Sequence, residues 1–199
     1  MLATLSFCII AYRHDQDVVS CLSFILIARS LALLLFLVSS NLLIWKIVGY
    51  ALAAFCIVRF NRDPLAKFII PIWVAAVASE IYWYLTDYQG PEIYWSFILI
   101  SFNLATRYLL IVRFVLVPQY FNKPATPIRL DWYLKVLHLL PIVVECVYVF
   151  EYLVRHLTNT TPLYIYHAYP YIMHSIGMST IFAVFYFSYT AKQEKTLLV

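Results

Sequence analysis

The sequence predicts an all-α fold, a polytopic transmembrane bundle of six spans with both termini on the cytoplasmic side. Three observations predict it. Of the 199 residues, 64% are apolar and only 12% charged; the mean hydropathy is +0.82; and Lys and Arg crowd into alternate loops. A soluble domain of this length cannot hide so much apolar surface. Glycine is scarce, at 3, while 17 Tyr, 14 Phe and 5 Trp make the chain rich in rings. That argues against both a flexible linker and a bundle whose helices touch through small residues.

A helix satisfies its own backbone hydrogen bonds where water is absent, and about 20 apolar residues cross the ~30 Å hydrocarbon layer. Met1 to Tyr12 is apolar but too short, and Arg13 follows it, the reverse of a secretory signal. Residues 1–17 are therefore expected to form a half-inserted or interfacial segment. A seventh span, completed by a segment upstream, is the alternative.

Residues 18–190 read as one six-helix bundle. The stretches run Val18 to Val38, Leu42 to Phe60, Leu65 to Leu85, Ile93 to Val117, Trp132 to Val154 and Tyr164 to Thr190. Turn chemistry separates them. Ser39-Ser40-Asn41 closes the first so tightly that residues 18–60 also read as one long helix. Asn61-Arg62-Asp63-Pro64, then Asp87-Tyr88-Gln89-Gly90-Pro91, then a proline-rich segment from Pro118 to Leu130, then Thr158 to Pro162 mark the other breaks. Connectors this short imply antiparallel neighbours. Residues 191–199 form a cytoplasmic tail.

Orientation follows from the basic residues. Arg13, Arg59, Arg62, Lys67, Arg113, Lys123, Arg129, Lys135, Lys192 and Lys195 fall on one side, ten in all, against Lys46 and Arg155 on the other, where Asp87, Glu92 and Glu151 add acid. The first side is expected to be cytoplasmic by the positive-inside rule. The net charge of +4 is thus topological, and no basic run indicates nucleic acid. Cys8, Cys21, Cys56 and Cys146 show no metal-ligand spacing and read as buried thiols. Asn159-Thr160-Thr161 is a formal glycosylation sequon with Pro162 close behind, best explained by chance.

The chemically informative residues lie at bilayer depth. Glu80 is followed by Trp83 and Tyr84; Ser96, Asn103 and Arg107 share a stripe; so do His138, Pro141, Glu145, Tyr148 and Tyr152, and His167, Tyr171, His174 and Met178. Counting ~1.5 Å per residue from the cytoplasmic ends puts Glu80, Asn103, Glu145 and His174 about 21 to 24 Å deep. Arg107 and Arg29 lie within reach. A charge in lipid costs at least about 2.5 to 3.5 kcal/mol, so these groups are expected to face inward and pair. The predicted ligand-binding or ion-pair network is Glu80, Asn103, Arg107, Glu145, His174 and Arg29. The alternative is that such pairs only fix helix register. Lys46 is expected to snorkel to the headgroups.

Trp83, Tyr84, Tyr148, Tyr152 and Tyr171 read either as an interfacial aromatic belt or as a vestibule for a cationic or flat aromatic ligand. Pro71, Pro141 and Pro170 bend or weaken their helices, two of them one turn from Glu145 and His174. Three functions compete: binding or transport of a small ligand or ion, proton-coupled or sensory; an accessory or scaffold subunit touching other membrane subunits or a second copy; and an intramembrane enzyme or metal or haem protein. No HExxH, GxSxG or paired-Asp signature supports the third. The sequence names no cofactor, and the expected setting is a plasma or inner membrane.

Overall fold

A computed structural model describes every residue except 39–41, 61–63, 89–92, 122–123, 159, 161–162 and 197–199. Among the described residues the chain forms seven helices and no strand: α1 (Leu2–Ala11), α2 (Gln16–Val38), α3 (Leu42–Arg59), α4 (Pro64–Leu85), α5 (Tyr94–Phe121), α6 (Arg129–Leu157) and α7 (Tyr164–Thr196). Five of them, α2 and α4 to α7, are long and apolar enough to cross a membrane. Helix α3 has 18 residues, roughly 27 Å by helical rise, and α1 only 10. The turns at Ser39 to Asn41, Asn61 to Asp63 and Gln89 to Pro91, together with Glu92, Lys123 and the sequon residues Asn159 and Thr161, lie outside the described residues.

Local chemistry sets the helix ends. Asp15 Oδ1 accepts the Asp17 and Val18 N–H groups at 3.1 and 3.4 Å and so caps α2. Pro64 opens α4, where its missing N–H is no loss. Beyond the other end of α4, Asp87 takes a left-handed φ of 51°. The Tyr88 N–H then donates back to the Trp83 carbonyl at 2.9 Å, a Schellman-type closure that returns the Tyr88 ring to Trp83. In the first turn of α6, Asp131 Oδ2 accepts the Ile128 N–H at 3.1 Å. Glu151, reaching from α6, accepts the Ile165 N–H at 2.6 Å and satisfies the start of α7.

Contacts between helix ends show an up-and-down order. The start of α3 meets the start of α5, where a Cβ on Gly49 would stand 3.1 Å from the Tyr94 carbonyl oxygen. The start of α3 also meets the end of α4, and the end of α5 meets the starts of α2 and α6. One end of the bundle thus collects Arg59, Lys67 and Arg129 and is called the basic end below. Helix α5 touches α2, α3 and α6; α6 adds α4 and α7; and α1 packs on α2 and α7. Two buried clusters follow. One joins α3 to α6 through residues such as Phe97, Ile100, Ile142 and Val149, and the other joins α1, α2, α5, α6 and α7 through Leu5, Leu22, Ile25, Leu110 and Leu134.

The outer surface is apolar. Phe36, Leu37, Val58, Leu85 and Phe182 are each more than 60% exposed, as suits side chains facing lipid. On α1, Leu5 and Cys8 are buried while Phe7 and Ile10 point outward, so the short helix has no polar face. Helix α7 continues as far as Thr196, past the apolar stretch, because Ala191-Lys192-Gln193-Glu194-Lys195 is good helix-forming sequence.

Candidate functional site

A groove lies between α3 and α4 at the end opposite the basic one. Helical spacing builds its two walls: Leu43, Ile47 and Ala51 beside Lys46 and Tyr50 on α3, and Trp73, Val77 and Ile81 beside Glu80 and Tyr84 on α4. Ala51 and Val77 line the groove between larger neighbours, and its volume is about 510 Å³. Leu43, Ile47, Ile81 and Tyr84 on its rim are exposed, so the groove opens sideways onto the apolar outer surface.

Polar groups are few and organised. Lys46 Nζ lies 2.9 Å from Glu80 Oε2, with side-chain exposures of 23% and 14%. The Tyr50 hydroxyl donates to Glu80 Oε1 at 3.4 Å, and the Trp73 indole N–H donates to the Tyr50 carbonyl at 3.1 Å, tying the two walls together. By helical rise Lys46 and Glu80 sit about 6 to 8 Å inside their helix ends, and Trp73 about 10 Å deeper than Glu80. Tyr88 lines the mouth. Its hydroxyl bonds His156 Nδ1 at 2.8 Å, and Trp83 stands edge-on to Tyr152 and His156 at 6.2 and 6.0 Å.

The residues of the expected network are not brought together as one cluster. Glu80 pairs with Lys46. Glu145 is fully buried and accepts the Tyr169 hydroxyl, with its Oε2 unpartnered. Arg29 Nη2 donates to Asn103 Oδ1 at 3.2 Å, and Arg107 Nη1 donates to the Lys135 carbonyl at 2.5 Å. His174 is exposed on α7, as are His167, Tyr171 and Met178 along the same stripe. The inward face of α7 carries Tyr169, Thr180, Val184 and Ser188 instead. The helix is polar on both faces, so periodicity alone does not select the buried one. Lys46, expected to reach for the headgroups, is paired with the Glu80 carboxylate in the groove. Of the expected vestibule, Trp83 and Tyr152 meet, Tyr84 stands on the groove rim, Tyr148 packs on Tyr169 at 4.8 Å, and Tyr171 points away at 77% exposure.

Sequence reasoning missed a second polar cluster. Arg113, counted among the basic residues outside the bilayer, is completely buried near the basic end of α5. Its Nη1 donates to Asp17 Oδ1 at 3.2 Å and Ser20 Oγ at 3.1 Å, and its Nη2 to Asp131 Oδ2 at 2.6 Å and the Thr126 carbonyl at 2.7 Å. Asp17 also accepts the Thr126 N–H and hydroxyl at 2.8 and 2.5 Å. The signal was available: Asp17 and Asp131 each sit in the first turn of a helix beginning at the basic end, where carboxylates suit the helix dipole. Arg113 thereby ties the first turns of α2 and α6 to α5.

Among the described residues no three His, Cys, Asp or Glu side chains converge as a metal site requires. The four cysteines are free and buried. No family model, curated protein or solved structure matches this chain.

Proposed function

We propose that this chain is a multi-pass integral membrane protein whose α3–α4 groove binds a small amphiphilic ligand drawn from the bilayer. Six helices, α2 to α7, cross the membrane, the basic end and both termini facing the cytoplasm, with α1 held against the cytoplasmic half. The observation that carries the reading is the Lys46–Glu80 pair bordering a 510 Å³ void rather than being packed over. Here an apolar slot of ligand size adjoins a charged couple and opens to lipid. Native mass spectrometry of protein released from maltoside micelles tests it with a single-chain amphiphile. One saturable adduct per chain is expected, lost in Ala51→Phe/Val77→Phe. Adduct numbers unchanged by filling the groove would remove the proposal.

A specific observation favours a second reading, an accessory subunit. His167, Tyr171, His174 and Met178 form an exposed stripe on α7, and imidazoles facing lipid are unfavourable unless another protein covers them. Co-purification from the native membrane in mild detergent tests this, and His174→Leu should release the partner. A chain that runs as a monomer with no companion excludes it.

A further inference from the structure

We infer that the ligand of the groove is a zwitterionic amphiphile, with an anionic group that engages Lys46 and an ammonium that engages Glu80. The inference rests on the groove reading above and adds the chemistry of the head. The charges lining the cavity are one cation and one anion in contact at 2.9 Å, and together they are neutral. An amphiphile bearing only a phosphate or carboxylate takes Lys46 and strands Glu80 against apolar walls. One bearing only an ammonium strands Lys46. A head carrying both charges exchanges partners with the pair and leaves no group unsatisfied, which decides the case where uncompensated charge is so unfavourable.

Tyr50, Tyr84 and Tyr88 line the cavity together with the pair, and aromatic rings at such a mouth suit an alkylammonium. Below the pair, about 10 Å of wall by helical rise runs down to Trp73 past Ala51 and Val77, apolar on both sides and suited to an alkyl chain. The pair itself lies about 6 to 8 Å inside the helix ends, the level at which an amphiphile held among lipids carries its polar atoms.

The test is competition in maltoside micelles among amphiphiles of one chain length: lysophosphatidylcholine, an alkyl carboxybetaine, lysophosphatidic acid, an alkyltrimethylammonium and an alkyl glucoside. Both zwitterions are expected to bind at least tenfold more tightly than the singly charged and neutral members. Their mutual ranking identifies phosphate or carboxylate as the preferred anion. Lys46→Met/Glu80→Gln should erase the preference, and the swap Lys46→Glu/Glu80→Lys, which keeps a pair, should retain it and guards against a misfolded variant. If a singly charged or neutral amphiphile binds as tightly as the zwitterions, and the groove-filling variant still abolishes binding, the inference fails while the groove remains a site. If none of the five binds in the groove, both fail.

Discussion

Lys46 and Glu80 meet at 2.9 Å across the α3–α4 gap, held by Tyr50 on one side and open to a cavity on the other. A charge pair this close to lipid is stable only while both members are present, because either alone is an uncompensated ion. Lys46→Met and Glu80→Gln are each expected to lower the thermal midpoint in detergent, and the double variant to lose less than the two combined. The double-mutant cycle should return a coupling of about 0.5 to 3 kcal/mol. Additive losses would show that the two side chains act independently.

Arg113 ties three helix ends together from a fully buried position. It joins the first turns of α2 and α6 to α5 through Asp17 and Asp131, and its side chain has no exposed surface. Removing it leaves two carboxylates buried together. Arg113→Leu is therefore expected to cost about 3 to 5 kcal/mol, read as loss of the monodisperse peak in fluorescence-detected size-exclusion chromatography. Arg113→Lys should recover only part of this, since one ammonium cannot reproduce the forked contacts. A leucine variant that melts like the parent contradicts the clasp.

Two glycines make opposite predictions. A Cβ on Gly49 would approach the Tyr94 carbonyl oxygen at 3.1 Å and Ile98 Cγ1 at 3.3 Å, whereas nothing lies within 4 Å of one on Gly177. Gly49→Val should force α3 from α5 and lose about 1 to 3 kcal/mol. Gly177→Ala should be neutral or gain up to about 1 kcal/mol from helix propensity. Thermal melts of the two side by side test the close approach of α3 to α5.

The thiols should be silent in the folded protein. Cys8, Cys21, Cys56 and Cys146 are each at most 4% exposed, and burial pushes the Cys8 thiol up from its ordinary value, suppressing the reactive thiolate at neutral pH. Maleimide is expected to add nothing to native protein and four groups after denaturation. Rapid labelling of Cys8 in native protein would show that α1 detaches from α2 and α7.

The six apolar stretches fall on helices α2 to α7, of which five, α2 and α4 to α7, are long and apolar enough to cross a membrane. Hydropathy does not mark helix ends. Helix α5 runs on through Pro118 to Phe121, and α6 starts at Arg129 with a carboxylate in its first turn, so backbone hydrogen bonding continues where apolar sequence stops. Of the stripe read on α6, His138, Pro141, Glu145 and Tyr152 are buried and Tyr148 is half-buried. The partners of those groups were not legible, since periodicity fixes which residues share a helix face but not which helix lies opposite. Glu80 pairs with Lys46 on α3 and not with an arginine on α5 or α2. Arg113 was counted toward topology and Asp17 and Asp131 were not singled out, and only the packing of three helix ends reveals the three as one cluster.

The most direct test of the groove is photolabelling with a diazirine-bearing lysophosphatidylcholine, followed by peptide mapping of the adducts. The account predicts adducts concentrated between Leu43 and Ala51 and between Trp73 and Tyr88, suppressed by excess unlabelled compound. Label spread evenly over outward-facing side chains such as Leu34, Val58 and Phe182, with no competition, would contradict it.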